Sequence, residues 1–299
     1  MNGTDKRRVT VVGGEFAVVD AGDPQAPPVV LLSGGFTSSF VWRRLLPLLS
    51  PFLRVVAPDL LGSGDSVAEP EADLTLAGHA RSVLELLGGL GIERFAAVGH
   101  GHGGGVAQLL AVDGGVDALV LVDSIAFDAW PAPGVRALQE ALAAGDRVDP
   151  QTWMREMVEV GTTRPERRAP EDLDELVRPF SGPDGADRLA RVASSFDGRG
   201  LVGLEPKLAA LEIPALVLWG EEDAFVPTAV AERLGEVLPR ASVALLPGCG
   251  HLLLEDAPDT VAPLVFRWLQ SQYLKLEHRH EAGPVTVSLG RRPPGEEGP

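Results

Sequence analysis

Short runs of apolar residues alternate with helical patterns along most of this chain. Two of the runs, residues 29–32 and 118–122, are apolar at every position. Parallel strands that are covered by helices on both faces have this composition. The alternation of such runs with helices is typical of βαβ units. The sequence therefore predicts an α/β fold with a mostly parallel sheet.

The spacing of apolar residues predicts eight strands, helices on both faces of the sheet, and a cap. The predicted strands cover residues 9–12, 16–20, 29–32, 54–57, 95–98, 118–122, 215–219 and 242–246. The helices between them cover residues 40–49, 75–90, 104–112, 226–238 and 257–273. After the sixth strand, four helical segments interrupt the alternation at 135–144, 151–160, 171–178 and 186–195. We interpret residues 126–200 as a helical cap, 1–125 and 201–275 as the core, and 276–299 as a disordered tail.

Composition and charge exclude several classes of partner. The chain has 26 Lys and Arg against 42 Asp and Glu, a net charge of −16, which argues against nucleic acid and anionic membranes. It has no apolar leader and no long uncharged apolar stretch, so a cytoplasmic protein is expected. With the single cysteine Cys249 and no zinc-like spacing, we expect no disulfide, no metal and no other cofactor. The expected partner is a small-molecule substrate, and the oligomeric state stays open.

Five short motifs follow the predicted strands in a characteristic order. They are Leu-Leu-Ser-Gly-Gly-Phe at 31–36, Ala-Pro-Asp-Leu-Leu-Gly-Ser-Gly-Asp-Ser at 57–66, Val-Gly-His-Gly-His-Gly-Gly at 98–104, Trp-Gly-Glu-Glu-Asp at 219–223 and Gly-Cys-Gly-His at 248–251. Together they resemble the α/β-hydrolase superfamily over about residues 8–273. The resemblance is to its capped members, such as the epoxide hydrolases, the C–C hydrolases and the cofactor-free dioxygenases. It implies the α/β-hydrolase fold.

The third motif departs from this superfamily at its centre. The resemblance implies a nucleophile elbow, G-x-S-x-G, in which Gly99 and Gly103 fill the two small positions. Gly101 stands where the nucleophilic serine is expected. Glycine adopts positive φ at little cost, so we expect the bend to form without an attacking side chain. No acyl-enzyme can form at this position.

The resemblance also implies a catalytic base and an anion hole. His251 is the implied base and Asp223 the acid that orients it, with Asp123 as the alternative acid. The backbone N–H groups of Gly35 and His102 would form an oxyanion hole. The side chain of His102 is a further catalytic candidate. Cys249 is a less favoured substitute nucleophile.

Six further residues are candidates for contact with a substrate. Three belong to the core motifs and three to the cap, although apolar cap residues also serve the packing of the cap itself. The candidates are Ser33, Phe36, His100, Trp130, Trp153 and Met157. The His-x-His sequence at 100–102 is similar to that of the cofactor-free ring-cleaving dioxygenases.

Two classes of function fit these residues. The first is an enzyme that uses non-covalent His/Asp acid–base catalysis on a small apolar carbonyl compound, as a lyase, a cyclase, a cofactor-free oxygenase or a water-activating hydrolase. The second is a catalytically inactive protein that binds a ligand or a partner. A retained base favours the first class, and the missing nucleophile favours the second.

Overall fold

The computed structural model describes residues 6–197 and 199–274. A nine-stranded sheet has the order β1-β2-β4-β3-β6-β7-β8-β9, with β5 paired to β2. Its strands are β1 (Arg7–Val11), β2 (Gly14–Ala21), β3 (Pro28–Leu32), β4 (Arg54–Pro58), β5 (Val67–Ala68), β6 (Phe95–His100), β7 (Val116–Val122), β8 (Ala215–Gly220) and β9 (Ala241–Leu246). The tail predicted at 276–299 lies outside the described residues.

Six strands, β3, β4 and β6 to β9, pair in parallel with one another. β2 pairs antiparallel with β1, β4 and β5, whereas β4, β3, β6, β7, β8 and β9 pair in parallel. The predicted fold class is thereby confirmed. The strand that the sequence did not indicate is β5, because two residues are too few to show an alternating pattern.

Eleven α-helices are present in the described part of the chain. They are α1 (Leu46–Leu49), α2 (Leu76–Gly89), α3 (His102–Asp113), α4 (Pro133–Ala143), α5 (Pro150–Gly161), α6 (Pro170–Val177), α7 (Gly185–Ser194), α8 (Glu205–Leu208), α9 (Thr228–Val237), α10 (Leu253–Asp256) and α11 (Pro258–Gln272). The helix predicted at 40–49 is instead a 3₁₀ turn, Ser39–Trp42, followed by α1. Pro47 lies in the first turn of α1, where its missing N–H is tolerated, whereas in the middle of a longer helix it would remove a backbone hydrogen bond.

Helices α4 to α7 lie between β7 and β8, where the cap was predicted. An ion-pair network joins them to the core. Arg43 donates to both oxygens of Glu255, at 2.6 and 2.7 Å, and to Asp172 in α6 at 2.9 Å. Since the Glu255 side chain is only 4% exposed, this network fixes α10 and α6 to the loop that follows β3.

Candidate active site

Gly101 forms the sharp bend between β6 and α3. Its φ of 53° and ψ of −119° lie in a region that side chains rarely adopt. The two neighbouring glycines allow the backbones to approach closely. A Cβ on Gly99 would lie 2.4 Å from the Gly103 carbonyl oxygen, and a Cβ on Gly103 would lie 2.2 Å from that of Leu32. The glycine pattern of the third motif therefore has a steric cause.

His251 and Asp223 form a buried hydrogen-bonded pair beside this bend. Nδ1 of His251 lies 2.9 Å from Oδ2 of Asp223, whose side chain is fully buried. The other carboxylate oxygen accepts the N–H groups of Phe225 and Val226 at 2.8 and 3.0 Å. Because an ionised carboxylate only accepts, the hydrogen bonding assigns the proton to Nδ1. Nε2 is then an acceptor, and it lies 3.2 Å from the point where a Cβ on Gly101 would be.

His100 packs against His251 from the strand side. Its Nε2 lies 2.9 Å from the backbone oxygen of His251. A carbonyl oxygen only accepts, so Nε2 carries the proton and Nδ1 is an acceptor. Burial lowers the pKa of His100 to about 3, with a smaller effect from the nearby His251. The His100 ring is therefore neutral, and it holds the His251 backbone in place.

The side chain of His102 packs among other rings. Its ring stacks on Phe196, with centroids 4.1 Å apart, and meets the edge of His79 at 5.6 Å. Burial, together with the neighbouring His79, lowers the pKa of His102 well below its ordinary value. Neither ring nitrogen has a hydrogen-bond partner in the part of the chain that the structure describes. The structure thus brings no carboxylate to the predicted catalytic side chain of His102.

The buried His79 predicts a pH dependence of stability. Burial lowers its pKa from 6.5 to about 4, although the charge of Asp73 opposes this. Between these values the unfolded chain binds a proton that the folded protein does not, so stability is lost as pH falls below about 6.5. We expect His79 to contribute a loss of about 2 kcal/mol at pH 5 relative to neutral pH.

Urea unfolding at pH 7.5 and pH 5 measures this contribution. Titrating groups that do not contact His79 act in wild type and in His79→Gln alike, so they cancel when the two proteins are compared. The variant has no imidazole at residue 79 and should lose about 2 kcal/mol less on acidification. Equal losses in both proteins would contradict the prediction.

Two residues that the sequence left open as alternatives do not reach the base. Asp123 accepts the Gly220 N–H at 2.8 Å, and burial raises its pKa well above the ordinary value, with a further contribution from the charge of Asp223. It makes no hydrogen bond to His251. The buried thiol of Cys249 lies 3.7 Å from the Pro247 oxygen, and burial raises its pKa. Asp223, and not Asp123, is the partner of His251.

A cavity lies between this bend and helices α4 and α5. The volume of this cavity that the centre of a water molecule can occupy is about 80 Å³. Of the predicted site residues, its wall includes Gly35, Phe36, His100, Gly101, His102, Trp130, Met157 and His251. The other residues of the wall are Gly34, Thr37, Ala132, Val135, Met154, Val158, Phe196, Phe225 and Leu252.

Two residues that were predicted to contact a substrate, Ser33 and Trp153, are not part of the cavity wall. Ser33 is fully buried and does not line the cavity, because it lies at the end of β3 beneath the turn. Trp153 is also absent from the wall. Its ring packs edge-on against Phe36 at 4.8 Å, so it supports a wall residue from behind.

The expected anion hole has two backbone N–H groups near the bend. The N–H of His102 is at the start of α3. The first N–H groups of a helix have no hydrogen-bond acceptor within the helix, so this group is free to bind an anion. The turn that contains Gly35 is held by the Ser63 hydroxyl, which donates to the Gly35 carbonyl oxygen. Phe196 packs so closely that a Cβ on Gly35 would lie 2.2 Å from the tip of its ring. Any side chain at residue 35 would therefore require the ring of Phe196 to move.

Residues 29–264 match the family model described as "Alpha/beta hydrolase family". The chain belongs to this family. It is 29% identical over 273 residues to haloalkane dehalogenase 2 of Mycobacterium tuberculosis. The aligned region covers 84% of this chain and 90% of the relative. It is 27% identical over 277 residues to the magnesium-chelatase 30 kDa subunit of Rhodobacter capsulatus, covering 89% and 94%.

One solved structure is similar to this chain along almost its whole length. It is 2-hydroxy-6-oxo-6-phenylhexa-2,4-dienoate hydrolase from Rhodococcus sp. strain RHA1, which superposes with a TM-score of 0.76 at 27% identity. The match covers 89% of this chain and 98% of that structure.

Asp256 holds the backbone of the candidate site in place, a role that the sequence did not reveal. Its fully buried carboxylate accepts the N–H groups of Gly250 at 2.7 Å, Arg164 at 2.8 Å and Thr163 at 3.0 Å. It thus joins the loop that carries His251 to the segment after cap helix α5. An acidic residue near a helix end gives no sequence signal for the contacts with Thr163 and Arg164, because these residues lie 93 and 92 positions away in the chain.

Within residues 6–197 and 199–274, no group of three or more His, Cys, Asp or Glu side chains could hold a metal ion. The helices of the same described part include none that is long and apolar enough to cross a membrane.

Proposed function

We propose that this member of the alpha/beta hydrolase family is a hydrolase that activates water directly with His251. Its substrate is a small, apolar, uncharged carbonyl compound, and no covalent intermediate forms. The observation that carries the proposal is the 3.2 Å between His251 Nε2 and the position of a Cβ on Gly101. An accepting nitrogen thus faces the space that a nucleophilic side chain would otherwise fill.

The reaction follows from the donors and acceptors around this space. Nε2 of His251 takes a proton from water, and the water oxygen bonds to the carbonyl carbon. The electron pair of the C=O bond moves to oxygen, which accepts the N–H groups of Gly35 and His102. When the C=O bond re-forms, the bond to the leaving group breaks and that group takes the proton from His251. The buried Asp223 carboxylate stabilises the protonated imidazole between these steps.

The composition of the cavity wall supports an uncharged substrate. None of its residues is Lys, Arg, Asp or Glu, and His100 and His102 are neutral because they are buried. A charged ligand without a partner is costly to bury. The similarity to a structure named as a hydrolase favours hydrolysis over the lyase, cyclase and oxygenase reactions.

A panel of aryl esters, lactones and acidic heteroaromatic ketones tests this proposal. Product formation is measured together with oxygen consumption, and intact protein mass is measured after rapid quenching. We expect hydrolysis of esters or lactones, no oxygen uptake, and no mass increment during turnover. Oxygen uptake with a ketone, or an acyl adduct on the protein, would overturn the proposal.

Ligand binding without turnover is a second candidate function. It is favoured by the absence of a side chain at Gly101 and by the ring of Phe196, which packs directly against Gly35. In this case members of the panel would bind with measurable affinity, and none would be converted. The orientation of His251 by a fully buried carboxylate favours the hydrolase, because binding alone requires no base.

A further inference from the structure

We propose that the side chains of His102 and Trp130 form a second polar subsite in the cavity, which binds an uncharged oxygen of the substrate remote from the reacting carbonyl. The inference rests on the proposed function and narrows its substrate class. The substrate would be a planar carbonyl compound that carries a second oxygen, as a hydroxyl or a ketone.

Unpartnered polar atoms point to this subsite. Both ring nitrogens of His102 and Nε1 of Trp130 are buried and have no hydrogen-bond partner among the described residues. Both side chains line the cavity, and their rings lie 6.4 Å apart. Buried polar groups are nearly always hydrogen-bonded, so a cluster without partners on one wall of a cavity indicates a place for a ligand.

The hydrogen-bond donors and acceptor of His102 and Trp130 favour an oxygen atom of the ligand. Trp130 can only donate, and a neutral imidazole has one donor and one acceptor. A hydroxyl group satisfies both kinds of atom, and a carbonyl oxygen satisfies the donors. A carboxylate is disfavoured because no cationic side chain lines the cavity.

The surrounding rings select a flat group. Phe196 stacks on His102 at 4.1 Å and lies 5.8 Å from Trp130. Phe36 meets Phe196 edge-on at 4.8 Å. Aromatic side chains in such offset and edge-on arrangements favour a planar partner. An aromatic or conjugated carbonyl compound therefore matches the walls better than a branched aliphatic one.

Binding of non-hydrolysable ketones tests the subsite. The three hydroxyacetophenone isomers are each compared with the methylacetophenone of the same substitution, by calorimetry on the full-length protein. At least one hydroxyl isomer should bind about tenfold more tightly than its methyl counterpart. In His102→Phe this preference should disappear, although the ring stack and the backbone N–H at residue 102 are retained.

Phe36→Leu is the matched control, because it alters apolar contact without removing a polar atom. It should weaken both members of a pair equally. His102→Phe should also unfold at no lower temperature than wild type without ligand, since it removes unpartnered buried nitrogens. If that variant fails to fold, Trp130→Phe provides the same comparison, and it should reduce the hydroxyl preference.

The outcomes separate this proposal from the proposed function. No preference for any hydroxyl isomer in wild type, or an unchanged preference in the folded variants, would overturn the subsite alone, because ketone binding needs no turnover. A preserved preference without hydrolysis of any ester would overturn the hydrolase proposal and leave the subsite standing.

Discussion

His251→Ala is expected to lower kcat/KM for ester or lactone hydrolysis by about 10³-fold, with the fold intact. A positioned general base contributes a factor of about 10² to 10⁴, and no nucleophile at residue 101 can compensate. The imidazole is 12% exposed, and its removal leaves the Asp223 carboxylate with the N–H groups of Phe225 and Val226 as donors, so the variant should fold but unfold at a lower temperature than wild type. Initial rates and thermal unfolding of both proteins provide the measurement.

A matched control and a rescue make this result specific. Glu222→Ala changes an exposed residue next to Asp223 and should retain wild-type turnover. Added imidazole should restore part of the activity of His251→Ala, because the small base can enter the space that the ring has left. Turnover in His251→Ala equal to that of wild type would contradict the assignment of the base.

Gly101→Ser is expected to convert the site to covalent chemistry. The backbone at residue 101 already has a φ of 53°, and the new Cβ would lie 3.2 Å from Nε2 of His251. A hydroxyl on that carbon would lie near the base that can activate it. We expect a burst of product with activated esters and a stable adduct with a fluorophosphonate, detected by intact mass.

Gly101→Ala separates the hydroxyl from the backbone effect. Both variants place a Cβ in a strained region, at a cost of about 1–3 kcal/mol, and His251 must shift by a few tenths of an ångström. Both should therefore unfold at a lower temperature than wild type, and only Gly101→Ser should react. A folded but unreactive Gly101→Ser would show that the anion hole or His251 has been placed wrongly.

The chain order of the motifs allowed much of this site to be anticipated. Strands that are apolar on both faces predict a covered parallel sheet, and the loops after such strands meet at one edge. The resemblance to the α/β-hydrolase superfamily implied that residues as distant as Gly35, Gly101 and His251 lie close together, and all three line one cavity. The choice of Asp223 over Asp123 came from the chain order of that superfamily, and the 2.9 Å hydrogen bond agrees with it.

Contacts with the cap could not be anticipated in the same way. The sequence shows that the cap helices have apolar faces, but not where each face docks. Trp153 was expected at the cavity and packs against Phe36 instead, whereas Phe196 lies directly against Gly35. Such details depend on how two separately patterned layers fit together, and no periodicity encodes that fit.

The sequence by itself determined the α/β fold, the motifs at the strand ends, and the absence of a side chain at residue 101. Tertiary structure alone decided which atoms face that position. Local pattern sets secondary structure because it depends on neighbours in the chain. The direction of His251 Nε2, the four hydrogen bonds made by His251, Asp223 and His100, and the unpartnered nitrogens of His102 depend on residues up to 151 positions apart. They exist only when the folded chain brings those residues together.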